Sequence, residues 1–367
     1  MLLIQSERTA LLSALSAVVG VVERRHTLPI LSNLLLEKKD GASSMLATDL
    51  ELQISTRLEA EAGEDFAITI AARKLFDIVR ALPDNARVKL DSKDSQVVVS
   101  AGKSRFTLQT LPAADFPRVE TGAGLGEAII LQQKTLKRLL QLVQFAMASQ
   151  DIRYYLNGML LVLDGKTLRV VATDGHRLAY AETELETEVA AREVIIPRKT
   201  VLELSKLLND TDDAVELRIG SNQVTIGLPG TELVTKVVDG KFPDYQRVIP
   251  ASQPRRLKAN RQNVMQALQR AAILSNEKFR GVRLVMSDGT LGIVCNNNEQ
   301  EEAADEIEVD YAGDPLDVGF NVTYLLDGLS AIGGENITLS LGDANSSMLL
   351  TSEGEPGFKY VVMPMRI

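Results

Sequence analysis

Leu31-Ser32-Asn33-Leu34-Leu35-Leu36 returns 125 positions later as Leu156-Asn157-Gly158-Met159-Leu160-Leu161, and the architecture follows from that echo. Ala47-Thr48-Asp49 recurs as Ala172-Thr173-Asp174, and Arg73-Lys74 as Arg198-Lys199, both at the same offset. Asp115-Phe116-Pro117 answers to Lys241-Phe242-Pro243, 126 apart. One shared tripeptide arises by chance; four matches that keep register to within one residue do not. A fainter third copy follows. Arg280-Gly281-Val282-Arg283-Leu284 aligns with Asn157 to Leu161 at an offset of 123, and Met363-Pro364 with Phe242-Pro243 at 121. A period missed at this stage misassigns the whole fold.

Each copy has the same order of elements. A helix is predicted first, over Arg8 to Val22, Lys134 to Ala148 and Gln262 to Ser275. Apolar residues recur there at helical spacing, as in Leu11, Leu12, Leu15, Val18 and Val19, or Leu136, Leu139, Leu140 and Val143. Strands rich in β-branched residues follow, punctuated by turns at Asp164-Gly165 and Asp288-Gly289. A second helix is predicted over Arg73 to Leu82, Lys199 to Leu208 and Val322 to Ile332. Alternating strands such as Val97-Val98-Val99 and Gln223 to Ile226 close the copy. The fold class is therefore α+β: three similar domains in tandem, each with two helices packed on antiparallel sheets. The domains are expected at residues 1–122, 127–250 and 254–367, joined by the Gly-rich stretch Glu120 to Glu127 and by Pro250 to Pro254. Units this large do not stack as a solenoid, whose repeats run to ~20–45 residues. They continue instead as an arc, and an arc with complementary ends closes by cyclic dimerisation, the commonest oligomeric symmetry.

At 367 residues the chain exceeds what one hydrophobic core usually supports. No apolar run reaches the ~18–20 residues that span a bilayer. Met1 to Glu7 meets an acid before any long apolar stretch, which argues against a secretory signal. The single cysteine, Cys295, excludes an intrachain disulfide framework. Beside Val294 in an apolar run, it reads as a buried structural thiol in a reducing, cytoplasmic setting. The net charge is −9, which as an average speaks against nucleic acid, because phosphate binding depends on Lys and Arg.

The distribution of that charge reverses the inference. Over the six helical segments (7–25, 72–82, 132–150, 197–208, 260–280 and 321–332), sixteen basic residues stand against six acidic ones, a balance of +10. The rest of the chain then carries −19. Solvated helix faces usually mix their charges; here five of six segments lean basic inside an acidic protein. Helices gathered on the inner face of an arc would make a positive channel within a negative exterior. Duplex DNA, with one charge per ~1.7 Å of axis, is drawn to such a channel without any base being read. No helix-turn-helix or zinc-finger spacing occurs, in line with sequence-independent contact.

Several strings together resemble the beta subunit of bacterial DNA polymerase III, in collinear order over the whole chain. They are Arg25 to Leu31, Ser104-Arg105-Phe106, Leu111 to Pro117, Gln150 to Gly158, Ala172 to Leu178, Val238 to Tyr245, Ile273 to Leu284 and Tyr360 to Ile367. The resemblance implies a sliding clamp: a head-to-tail homodimeric ring around duplex DNA, with helices lining the pore and continuous sheets outside. It implies a partner set of the polymerase III catalytic subunit, an ATP-driven clamp loader, and other polymerases and repair proteins. It implies no membrane, no cofactor, no metal and no catalytic residue.

Carried over by motif, the DNA contacts implied are Arg25, Arg73, Gln150, Tyr154, Tyr155, Arg198 and Lys199. Guanidinium and ammonium groups suit phosphate, and tyrosines offer a stacking face. The partner-peptide pocket implied is formed by Leu156, Thr173, Gly175, His176, Arg177, Leu178, Pro243, Val248, Tyr324, Ser347, Val362, Met363, Pro364 and Met365. Met and Pro suit a surface that accepts varied peptides. The apolar centre of the subunit contact is implied at Phe106, Leu108, Ile273 and Leu274. Charge alone also points to that contact. Lys74, Lys103 and Arg105 lie toward one end of the chain, and Glu299, Glu301 and Glu302 stand in an acidic run toward the other. The chain departs from the family's usual pattern at His26, Ser149, Asn298 and Asn345.

Two rival readings differ in class. An enzyme would rest on Asp174-Gly175-His176, since His26 and His176 are the only histidines, yet no nucleophile elbow, phosphate loop or metal-ligand spacing accompanies them. Gly122-Ala123-Gly124-Leu125-Gly126 is glycine-rich but sits at an expected join, where a linker is the better reading. A repeat scaffold that binds only proteins would share the pocket but show no retention on DNA.

Overall fold

The computed structural model of the protein describes residues 1–23, 27–120, 122 and 124–367. Its helices are α1 (Arg8–Val19), α2 (Ala72–Ala81), α3 (Gln133–Val143), α4 (Arg198–Leu207), the single turn α5 (Tyr245–Val248), α6 (Arg261–Ala272) and α7 (Val322–Ala331). Apart from α5, these are the six helices expected, each starting within one residue of its expected position. Three of them, α1, α3 and α6, stop early. Val21 and Val22 bond back to the carbonyls of Val18 and Val19, and Ile273, Leu274 and Ser275 to those of Arg270, Ala271 and Ala272. These are three-residue steps of a tighter 3₁₀ turn. After α1 burial continues through that turn at Val21 and Val22, whereas after α6 Ile273 is exposed.

The chain divides into two compact units, Met1–Lys134 with Glu203–Val237, and Thr135–Leu202 with Val238–Ile367. The first unit holds a five-stranded sheet (Glu61–Ala62, Leu2–Glu7, Arg87–Lys93, Gln96–Ala101, Ser104–Gln109 in spatial order). Its eight-stranded sheet runs Ile129–Gln132, Ala214–Ile219, Gln223–Leu228, Thr231–Lys236, Leu52–Leu58, Ala42–Thr48, Asn33–Lys39, Phe66–Ala71. Helix α1 buries Leu11, Ala14, Leu15 and Val18 on one face, as its spacing dictates. The second unit holds a six-stranded sheet (Gly158–Thr173, Arg177–Pro197, Glu355–Val362, Met348–Ser352, Asn336–Leu341, Arg255–Asn260). Beside it is a four-stranded sheet (Glu302–Glu308, Thr290–Asn296, Gly281–Ser287, Leu316–Asn321). Asn260 and Asn321 cap α6 and α7 through their side-chain oxygens.

The cut between units runs through the middle sequence copy, for a reason local sequence does not show. An antiparallel ladder from Thr231↔Thr56 to Thr235↔Leu52 sews half of that copy to the first. A second ladder, from Arg177↔Val362 to Ala181↔Phe358, sews the other half to the third. One expected turn is absent. Asp164-Gly165 lies inside the long strand Gly158–Thr173, where Gly165 has φ +59 and the register slips on either side of it. The pattern is that of an irregularity in a paired strand, not of a chain reversal. No described helix is long and apolar enough to cross a membrane.

Candidate peptide pocket and nucleic-acid interface

The repeated Ala-Thr-Asp motif builds the same turn twice. In the first copy Thr48 Oγ1 donates to the Leu52 carbonyl at 3.0 Å and accepts from the Leu50 N–H at 3.0 Å. Asp49 Oδ1 accepts from the N–H groups of Glu51 (3.0 Å) and Leu52 (2.7 Å). In the second copy Thr173 Oγ1 donates to the Arg177 carbonyl at 2.6 Å and accepts from the Gly175 N–H at 3.1 Å. Asp174 Oδ1 there accepts from His176 (2.9 Å) and Arg177 (3.1 Å). The turn demands a left-handed third residue, which is Leu50 at φ +78 in one copy and Gly175 at φ +90 in the other. Glycine removes the steric cost that leucine bears there. In the third copy Asn297 Oδ1 accepts from the N–H groups of Glu299 (2.9 Å) and Glu301 (3.0 Å), so the capped turn persists with an added residue.

What distinguishes the second copy is what its turn carries. Arg177, with a side chain only 11% exposed, donates from Nε to Asp174 Oδ2 at 3.0 Å and from one terminal nitrogen to Asp327 Oδ2 at 2.5 Å. Its other terminal nitrogen donates to the Phe145 carbonyl at 2.8 Å. The guanidinium lies 4.3 Å from the centre of the Tyr324 ring and 5.5 Å from that of Phe145. Tyr360 is fully buried, donates its hydroxyl to the Tyr324 carbonyl at 2.9 Å and meets the Phe145 ring edge-on at 5.2 Å. Burial pushes the Tyr360 and Tyr324 phenols above their ordinary range, with Arg177 opposing the shift and Asp174 and Asp327 adding to it. The C-terminal segment crosses the same place: Met363 donates its N–H to the His176 carbonyl at 2.9 Å, and Met365 to the Gly319 carbonyl at 2.9 Å.

All fourteen pocket residues expected from the sequence fall within the second unit. Leu156, Thr173, Leu178 and Val362 are buried; Gly175, Arg177, Val248, Tyr324, Ser347, Pro364 and Met365 are half-buried; His176, Pro243 and Met363 are exposed. Leu178 belongs to a cluster with Leu160, Val171, Tyr180, Ile195, Phe242 and Val361, and Val248 packs against it. Sequence reading gave no site role to Phe145, Tyr360 or Asp327, which contact Arg177 or Tyr324. The one available signal was Asp327, the only charge on its helical segment.

Of the residues expected to meet DNA, Arg25 lies outside the described residues. Arg73 is exposed and donates to the Val22 carbonyl in the turn after α1. Arg198 is half-buried and donates to the Met147 carbonyl at 3.0 Å, and Lys199 beside it is also half-buried. Gln150 is exposed at φ +59. Tyr154 is 57% exposed and packs edge-on against half-buried Tyr155, their centres 6.0 Å apart. Their loop is stiffened by Asp151, which binds Arg153 through both carboxylate oxygens and exchanges two hydrogen bonds with Asn157. The hydrogen bonds from Arg153, side chain then backbone, pull the Asp151 carboxyl down to about 2. The helical charge count needs a correction. Arg8 pairs with Asp84, Lys134 with Asp212, Arg138 with Glu355 and Arg270 with Asp305, all acids outside the six segments. The balance of +10 therefore overstates the positive field.

Of the residues expected at a subunit contact, Arg105, Phe106, Leu108 and Glu302 sit on two edge strands. Ser104–Gln109 borders the five-stranded sheet with Arg105 and Phe106 exposed and Leu108 buried; Lys103 just before it and Lys74 on α2 are also exposed. Glu302–Glu308 borders the four-stranded sheet, with Glu299, Glu301 and Glu302 exposed. Ile273 is 79% exposed and Leu274 half-buried. The acid on which an enzyme reading would rest is engaged elsewhere. Asp174 is occupied by its own turn and by Arg177. No group of three potential metal ligands occurs among the described residues. Residues 124–126 lead into the strand Ile129–Gln132 and not into a helix, so they offer no helix start to a phosphate.

Comparison with known proteins fits this geometry. Profiles described as DNA polymerase III beta subunit, N-terminal, central and C-terminal domain match residues 2–120, 130–244 and 246–366. The chain is 48% identical to the beta sliding clamp of Pseudomonas putida over 363 residues, covering 98% of this chain and 99% of the relative. The crystal structure of DNA polymerase III subunit beta from Pseudomonas aeruginosa superposes with a TM-score of 0.93 at 47% identity, covering 100% of both chains. A sliding clamp from the same organism, bound to griselimycin, gives 0.94 at 46%, again over 100% of both. The fold is thus a three-domain clamp of helices and antiparallel sheets. The chain belongs to the DNA polymerase III beta subunit family.

Proposed function

We propose that this chain is a sliding clamp, the processivity factor of a replicative DNA polymerase, which acts in the cytoplasm and carries out no chemistry of its own. The observation that carries the reading is the match of all three domains, in order and over nearly the full length, to proteins named beta sliding clamp. Two copies join head to tail as a closed ring, with domains near residues 1–122, 127–250 and 254–367. The edge strand beside Lys103 and Arg105 meets the acidic edge strand Glu302–Glu308 of the second copy, around Phe106, Leu108, Ile273 and Leu274. Opposite charge and two unsatisfied strand edges support that pairing. The ring encircles duplex DNA and holds it through Arg25, Arg73, Gln150, Tyr154, Tyr155, Arg198 and Lys199, without reading sequence. Partner peptides from polymerases, the clamp loader and repair proteins dock in the pocket around Leu178, Arg177, Tyr324 and Met363. Sedimentation equilibrium tests the ring: the species expected has twice the 40.0 kDa chain mass. Arg105→Glu weakens it, and Arg105→Glu combined with Glu302→Arg restores part of the loss. A monomer at micromolar concentration contradicts the closed ring.

A further inference from the structure

We propose that Asp327 is a positioning residue that sets the chemical selectivity of the pocket: with Asp174 it outweighs the charge of Arg177, so that the site accepts apolar side chains and rejects acidic ones. The inference rests on the reading of this site as a peptide pocket. An arginine beside a peptide site ordinarily recruits carboxylates. Here the guanidinium spends Nε on Asp174 at 3.0 Å, one terminal nitrogen on Asp327 at 2.5 Å and the other on the Phe145 carbonyl at 2.8 Å. Its faces are flanked by the rings of Tyr324 at 4.3 Å and Phe145 at 5.5 Å. Two carboxylates against one guanidinium leave a local charge of about −1, with the cation held flat as a prop for the Tyr324 wall. The Asp327 side chain is 36% exposed, so its charge is only partly screened beside Arg177. An acidic peptide side chain is therefore repelled, while an apolar one packs on Tyr324. Rejection of the wrong partner by an unfavourable charge is a general route to specificity.

Asp327→Asn tests this, because it keeps the size and one hydrogen-bond acceptor and removes only the charge. The probes are a peptide selected from a random library on the wild-type full chain, and copies of it with single apolar residues replaced by Glu. Affinities come from fluorescence anisotropy, with griselimycin, the ligand of a related clamp, as competitor. The wild type is expected to prefer the apolar peptide. Asp327→Asn is expected to narrow that preference about three- to tenfold, mainly by gain for a Glu copy, the size of one partly screened charge. Asp327→Glu is expected to restore it. Equal weakening of both peptides, or no change in either, overturns the proposal, since a merely structural role moves both alike. Failure of the wild type to bind the selected peptide and griselimycin overturns the pocket reading itself.

Discussion

Replacing Gly328 with alanine sets two effects of opposite sign against each other. Gly328 lies in the middle of α7 and is buried. A Gly→Ala change inside a helix stabilises by about 1 kcal/mol through backbone entropy. The new methyl, however, would sit 2.5 Å from two carbons of the Tyr360 ring and 3.4 Å from Leu350. Carbon atoms pack at about 3.5–4.0 Å, so the ring must retreat by ~1 Å. Tyr360 is fully buried, and the adjoining void between Leu325, Leu329, Leu350 and Tyr360 holds only about 10 Å³. Overpacking of this kind costs roughly 1–3 kcal/mol, and the Tyr360 hydroxyl bond to Tyr324 is worth about 1 kcal/mol more if it breaks. The clash wins. Gly328→Ala is expected to destabilise by about 2 kcal/mol, seen as a melting temperature roughly 4–8 °C lower for the second unit. Scanning calorimetry measures it, and peptide affinity should fall with it because the Tyr324 wall moves. A melting temperature that rises, as helix propensity alone dictates, refutes the packing argument.

Gly175→Ala should cost about 1 kcal/mol, read by urea unfolding, because its φ of +90 strains any side chain. The nearest neighbour of the new methyl is the flexible end of Arg153, which can move aside, so a loss well above that figure would contradict the backbone explanation. Asp151, with its carboxyl held near 2 by Arg153, stabilises its loop above the ordinary carboxylate value of 3.8, and that support is lost as pH falls through about 2. Carbon NMR of selectively labelled aspartate should show this one carboxyl titrating about two units below its exposed neighbours; titration with them would dismiss the bond. Burial raises the Cys295 thiol, which donates to the Gly281 carbonyl at 3.1 Å, so a thiol reagent at neutral pH should label it only as fast as the protein unfolds. Prompt stoichiometric labelling would contradict its burial.

The helices were legible because each carries its own periodicity, and the repeat because Ala-Thr-Asp recurs, although the turn that this motif builds was not read from it. The ladders Thr231↔Thr56 and Arg177↔Val362 were not, since they pair residues far apart in sequence whose side chains say nothing of their partner. Asp164-Gly165 misled for a local reason: its residue types suit a turn, but the partner strand Arg177–Pro197 runs on beside it. Arg177 and Tyr324 were named as expected pocket residues from family resemblance, whereas Phe145, Asp327 and Tyr360 were hidden because they act through those two side chains. Arg8 and Arg138 looked like surface cations until the fold brought Asp84 and Glu355 to them.

The central claim is topological attachment to DNA. Its most direct measurement is retention of the labelled protein, loaded by a clamp loader onto nicked circular duplex, before and after a single cut linearises the circle. The account predicts slow release from the circle and rapid loss over the free ends once it is cut. Equal retention on both forms would contradict it, and would leave a scaffold held by ordinary contacts.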